Sequence, residues 1–271
     1  MPSAKDLEIR GISAKDANAF VRAHHYSGKV DPRSQLHLGV FLDGRLEGAM
    51  QFGPSIDKNK SIGLVRDTAW NGFLELNRLA FSDRLPKNSE SRAISVAMRL
   101  MRKNAPHVEW LLSYADGTQC GDGTIYRASG FDLIGIKKNS SMWRMPDGEV
   151  VAKLVFEPGF GNSLEGGPDS VKRRYGKTGT ESATSFLRRI GAEQLPGFQL
   201  RYIYFLNPAA RERLNVPILP FSEIARVGAG MYRGVRRDGV TSNTSDILSE
   251  AGGASPTSRL QLPDGDDGSS G

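Results

Sequence analysis

A single cysteine in 271 residues, Cys120, excludes an intrachain disulfide and a cysteine-rich zinc site, so packing has to hold the fold together. No apolar run reaches the roughly 18–20 residues that cross a bilayer. Met1 to Arg10 also lacks the charged-then-apolar order of a secretory leader, and the expectation is a cytoplasmic protein without a membrane partner. Histidine is scarce as well. His24 and His25 are adjacent, while His37 and His107 fall in separate segments, so no metal-ligand spacing is evident. Internal repeats are absent.

Charge, by contrast, is present in excess and unevenly spread. The net charge is +6, but from Val240 onward five acids stand against Arg259 alone, leaving +10 on residues 1–239. Such an excess suits a polyanion, because each neutralised phosphate releases counterions. A basic protein that is merely soluble is the plainer reading. Beyond about Gly234 the chain is Ser, Thr, Gly and Asp with few large apolar residues, a composition that predicts disorder.

Periodicity supplies the elements. Leu7 to Ile12 alternates as a strand, and Ser13 with Asp16 forms an N-cap signal for a helix ending near His24. Gln35–Leu42 and Arg45–Phe52 flank Asp43-Gly44, the signature of a type I′ hairpin turn. Phe73–Phe81 reads as a strand, Ser91–Lys103 as a helix and Val108–Tyr114 as a strand. Thr124–Ser129 then reads as a short helix closed by Gly130, followed by a strand pair at Phe131–Ile136 and Ser141–Met145. The order predicts a mixed α/β fold with one central sheet flanked by helices. After a Gly-rich, basic excursion from Phe156 to Gly179 come a helix (Ala183–Ile190), an aromatic-rich strand (Leu200–Leu206) and a short helix (Pro208–Leu214). The expected organisation is a core over 1–150, a basic C-terminal extension packed on it over 151–233, and a disordered tail over 234–271.

Several stretches together resemble one family of bacteriophage proteins. They are His24-His25-Tyr26-Ser27-Gly28, Glu75-Leu76-Asn77-Arg78-Leu79, Pro86 to Arg92, Ser113-Tyr114-Ala115-Asp116, Gly123 to Phe131, and Arg201 to Leu206 with Pro217-Ile218-Leu219-Pro220. In this order and at these intervals they are similar to the Mom family of DNA-modifying proteins, over roughly the first four fifths of the chain. The resemblance implies a GNAT-like fold, which also has this order of elements. It implies transfer of a methylcarbamoyl-type group to the N6 amine of adenine in double-stranded DNA, shielding phage DNA from restriction. It places Arg78, Ser91, Asp116 and Tyr126 in the active site, and the GNAT-like fold it implies sets the region of His25 and Tyr26 beside the acceptor pocket.

The residues bear on that chemistry as follows. Asp116, at the end of a strand and entering a Gly-rich loop, stands where open α/β sheets collect ligands and is a candidate to accept a proton from the amine or to orient it. The bland alternative is an Asp-Gly turn. Tyr126 is placed to protonate a leaving thiolate, or is a core aromatic. His25 and Tyr26 are candidates to contact a base extruded from the duplex. Arg78, in an apolar strand, should pair with a carboxylate such as Asp116 or Glu75, or with a ligand. An acetyl-CoA or other acyl-CoA would lie against Leu79, Lys87, Ser89, Glu90, Ser91 and Arg92, with the helix start favouring its anionic end. Counted from Arg84, however, Lys87 and Ser89 replace both glycines of the usual acetyltransferase loop, and Asn88 or Ser89 could simply cap the helix. Lys172, Arg173, Arg174, Lys177, Arg188 and Arg189 suit a DNA phosphate surface, or a solvated charged face. A conventional GNAT acyltransferase acting on another amine and an inactive DNA-binding module are the competing readings.

Overall fold

The computed structural model describes residues 3–157, 171–177, 180–232 and 235–236. Seven strands form the main sheet: β1 (Glu8–Gly11), β2 (Leu36–Leu42), β3 (Arg45–Gly53), β4 (Phe73–Phe81), β5 (Trp110–Asp116), β6 (Asp132–Lys138) and β10 (Phe198–Phe205). Their order is β1-β2-β3-β4-β5-β10-β6, and every neighbouring pair is antiparallel except β4 and β5. This is the expected mixed α/β, GNAT-like arrangement.

Local chemistry sets the first half. The Ser13 hydroxyl oxygen accepts from the Asp16 N–H at 3.1 Å and starts helix α1 (Ala14–His24). Asp43 and Gly44 both take positive φ, 51° and 75°, so the β2–β3 turn has the predicted type I′ sign. A short helix α2 (Lys58–Ile62), which the sequence reading did not anticipate, precedes β4; α3 (Ser89–Asn104) and α4 (Thr124–Ala128) follow β4 and β5.

One face of the sheet packs Leu76, Leu111, Ala115, Leu133 and Leu200 against Ala93, Ile94, Ala97 and Met98 of α3 and Tyr126 of α4. The other face meets α1 through Phe20 and Val21 on Ala49 and Ala80. Beside it Phe73 and Trp110 stack with centroids 4.2 Å apart, an arrangement that adds about 1 kcal/mol to their burial.

The expected division at residue 150 does not follow the sheet, because β10 lies between β5 and β6. Nor does Ser141–Met145 pair with β6: β10 occupies that edge, and β7 (Met142–Arg144) instead lies between β8 (Val150–Ala152) and β9 (Glu193–Gln194) in a separate three-stranded sheet. This smaller layer has its own apolar cluster. Trp143, Met145, Val151 and Phe156 meet Phe186 and Leu187 of α6 (Ala183–Arg189), with Val171 of α5 (Val171–Arg174) beside them. Most of the expected Gly-rich excursion lies outside the described residues. So does most of the expected disordered tail, although Val235–Arg236 forms β12, paired with β11 (Met231–Tyr232). Helix α7 (Ser222–Arg226) completes the described fold. Among the described residues no helix is long and apolar enough to cross a membrane.

Candidate active site

Strands β4 and β5 pair over only three rungs, Phe73 with Trp110, Leu74 with Leu111 and Glu75 with Leu112. Beyond Glu75 each continues without the other, and a slot opens between them. On the far side of β4 a register shift against β3, at Gln51/Phe52, makes Asn77 the extra residue of a bulge, which bends the strand at the place where the slot begins.

Asp116 stands at the slot's upper end with its carboxylate fully engaged. Oδ1 accepts from the Thr118 N–H at 2.9 Å and from Asn139 Nδ2 at 3.0 Å, and Oδ2 accepts from Gln119 Nε2 at 3.3 Å. Its backbone carbonyl accepts from the N–H groups of Gln119, Cys120 and Gly121. The plainer reading from sequence describes these bonds: Asp116 organises the Asp-Gly turn, and its charge also reaches the Tyr26 phenol.

His25 is the C-cap of α1. Its Nδ1 accepts from the Ser27 N–H at 3.2 Å and lies 2.8 Å from the Ser27 hydroxyl, which puts the proton of the neutral ring on Nε2. Burial, with the Arg78 guanidinium second, lowers its pKa to about 4, so the ring is neutral near pH 7 and is not a cation paired with the helix dipole. Tyr26 tilts against it, centroids 4.2 Å apart, and leaves about half its own surface (53%) exposed at the slot mouth. The Tyr26 phenol is nonetheless pushed up, first by the desolvation of its hydroxyl in the cleft and then by the Asp116 carboxylate.

Arg78 pairs with neither Asp116 nor Glu75. Its Nε donates to the Lys29 carbonyl at 2.8 Å, Nη1 donates to the Asn77 carbonyl at 2.6 Å, and Asp31 lies 4.0 Å away. The carboxylate partner comes from the loop after α1, which sequence spacing could not bring to β4. Tyr126, beneath the slot, is buried against Phe131 and Tyr202, and burial pushes its phenol up to about 12. It stays protonated at neutral pH, as a proton donor must.

At the start of α3, Asn88 adopts the left-handed conformation (φ 70°, ψ 12°) and its side chain makes no cap. Ser89 is buried and donates to the Pro86 carbonyl at 2.6 Å, and Ser91 donates to the Asn88 carbonyl at 3.2 Å. The capped-start reading is therefore overturned. Asparagine is among the few residues other than glycine that visit this conformation readily, so Asn88 supplies a turn without either missing glycine. Lys87 is exposed, Glu90 and Arg92 are half-buried, and the Arg92 Nε is buried without a partner among the described residues. Leu79 pairs with Met50 of β3 and packs towards the core.

A group in which sequence named only Glu75, and that as a partner for Arg78, lies on the α1 side of the slot. Asp31 grips Arg33 through both oxygens, one bond being Arg33 Nε to Oδ1 at 2.9 Å. Glu75 is buried beside them. Desolvation raises its pKa, while Ser55, Arg33 and Asn77 pull it back. The available signal was alternation: Glu75 and Asn77 are polar positions between Leu74, Leu76 and Leu79 on a strand buried on both faces.

The proposed phosphate-binding cations sit on the smaller layer. Arg174 pairs with Glu149 at 3.0 Å and Arg189 with Glu181 at 3.0 Å, while Lys172 and Lys177 donate to the carbonyls of Glu157 and Glu181. Arg173 and Arg188 are exposed. Local pairing thus takes up part of the positive charge that the sequence offered to DNA.

A sheet parted between its two parallel strands, with a helix start and a buried phenol facing the opening, defines a GNAT-like transferase. Solved structures with low overall similarity include an N-acetyltransferase from Staphylococcus aureus Mu50 (12% identical, 74% of this chain and 97% of that one, TM-score 0.37) and a probable acetyltransferase from Staphylococcus epidermidis (11%, 73% and 98%, TM-score 0.38). The sequence model of the Mom protein family matches residues 6–223, and the chain belongs to that family. It is 36% identical over 217 residues to the methylcarbamoylase Mom of Escherichia phage Mu, covering 79% of this chain and 82% of that protein.

Proposed function

We propose that this enzyme transfers a methylcarbamoyl group to the N6 amine of adenine in double-stranded DNA and so protects phage DNA from restriction. The observation that carries the reading, beside family membership, is the convergence on one slot of Tyr26, His25, Arg78, Asp116 and Tyr126, drawn from the turn after α1, β4, β5 and α4. Reaching an adenine amine requires the base to leave the duplex, and Tyr26 offers an exposed aromatic face for it at the slot mouth. Arg78 fixes the loop carrying His25 and Tyr26 by bonding the Lys29 carbonyl, so its role is to position them. Asp116 holds the Gly-rich loop in register and contributes negative potential beside Tyr26, which favours the amine as it becomes positively charged on attack. Tyr126 keeps its proton and is available to a leaving group.

The uncapped start of α3, with the backbone N–H groups of its first turn and Lys87 and Arg92 nearby, fits the anionic end of an acyl-CoA. Such a donor, when bound and carrying the methylcarbamoyl group as its acyl part, would supply that group's carbonyl carbon to the amine and release the thiol. The exposed and partly paired cations of the smaller layer would track the DNA backbone.

Nucleosides digested from plasmid DNA grown with the wild-type protein should contain a new deoxyadenosine species, absent with Tyr126→Phe. Unmodified DNA in the presence of folded wild-type protein would overturn the reading.

A further inference from the structure

On the α1 face of the slot, opposite α3, the hydrogen bonding is incomplete. Asp31 holds Arg33 by Nε and Nη2, which leaves Nη1 buried and without a partner among the described residues. Asn77 is 7% exposed. Its Oδ1 accepts from the Ser34 hydroxyl at 3.1 Å, while its Nδ2 faces the Glu75 carboxylate closely enough to lower that group's pKa but completes no hydrogen bond of normal geometry among the described residues. A Cβ on Gly53 would come within 2.7 Å of Asn77 Oδ1, so the amide is hemmed in on that side. Glu75, 9% exposed, sits on the last paired rung of β4 and β5. Two orphan donors beside a carboxylate are costly to bury, and a group that presents an acceptor and a donor side by side would satisfy them.

The edge of adenine has that pattern, a ring nitrogen that accepts next to an amine that donates. Resting on the function proposed above, we infer that Glu75, Asn77 and Arg33 form the subsite that reads the acceptor base. The Glu75 carboxylate accepts from the N6 amine, and Asn77 Nδ2 with Arg33 Nη1 donates to the adjacent ring nitrogen. The start of α3 lies on the other face, so donor and acceptor would enter the slot from opposite sides. The subsite selects adenine by exclusion: a base with a carbonyl at position 6 sets oxygen against the carboxylate.

The test uses the full chain and fluorescence-labelled duplexes carrying one unpaired adenine, one unpaired hypoxanthine or one abasic bulge, with affinities read by anisotropy. Wild type should prefer the adenine bulge to the hypoxanthine bulge by about tenfold or more, the discrimination expected of a paired polar contact to a base edge. Glu75→Gln should bring that ratio near one, and Asn77→Ala should weaken adenine binding alone, while both variants keep wild-type affinity for the abasic duplex and so report that they are folded. Equal wild-type affinity for adenine and hypoxanthine, or an unchanged ratio in the variants, overturns the subsite and leaves DNA binding standing. Failure of wild type to bind any of the three duplexes overturns the DNA reading, and the subsite with it.

Discussion

Asp116 and Glu75 stand on the two strands that part to form the slot, and their surroundings differ in kind. Around Asp116 every carboxylate oxygen has a donor, and the loop from Asp116 to Gly123 folds back on that one residue. Around Glu75 two donors lack acceptors and the carboxyl is raised by burial. A satisfied carboxylate holds backbone in place. An unsatisfied group of similar composition keeps its bonding capacity for something that arrives later, and that contrast separates support from recognition more clearly than residue type does.

The contrast can be broken by mutation. The largest effect is expected in the satisfied loop: Gly123 has φ 79°, and a Cβ there would lie 2.4 Å from the Tyr202 ring, so Gly123→Ala should cost roughly 2–4 kcal/mol in urea unfolding. Asp116→Ala strands the donors of Thr118, Gln119 and Asn139 and should cost about 2 kcal/mol in the same assay while lowering DNA modification. A wild-type unfolding midpoint for this variant would show that the loop does not depend on the carboxylate.

Glu75→Gln should behave in the opposite way. A carboxyl whose pKa is raised in the folded state contributes stability below its unfolded value, near 4.5, and loses it as pH rises through the raised one. The variant, which cannot ionise, should therefore gain in Tm relative to wild type as pH increases. A Tm difference that is flat with pH would contradict the assignment. The smallest effect concerns His25, whose pKa is lowered to about 4. Its stabilising contribution is present above about 6.5, the ordinary histidine value, and is lost as pH falls towards 4. Its ring proton resonance should titrate near 4, and a midpoint near 6.5 would place the ring in open solvent.

What could be read in the sequence was what neighbours in the chain decide. The Ser13 cap, the Asp43-Gly44 turn and the bounds of β4 follow from residues a few positions apart, and the structure has them where expected. The family motifs brought His25, Tyr26, Asp116 and Tyr126 to one slot. Pairings between distant segments were not legible: Arg78 has Asp31 as its partner, Asp116 has Asn139, and Ser141–Met145 lies in a second sheet because β10 occupies the edge of β6. Glu75 and Asn77 were visible as polar residues in an apolar strand. The orphan donors beside them depend on how Asp31 turns Arg33, which is a matter of tertiary geometry.

The central position of β10 also bears on synthesis. Trp110 of β5 has Phe205 as its register partner, and among the described strands β6 pairs in the main sheet with β10 alone. On the ribosome, β5 and β6 are complete long before β10 emerges, and the smaller layer is made in the interval. Two strand edges therefore wait open during translation, the situation in which nascent chains pair wrongly or aggregate. The smaller layer, with its own apolar cluster, can collapse during that wait and carry the two flanking segments close together, shortening the search that closes the sheet.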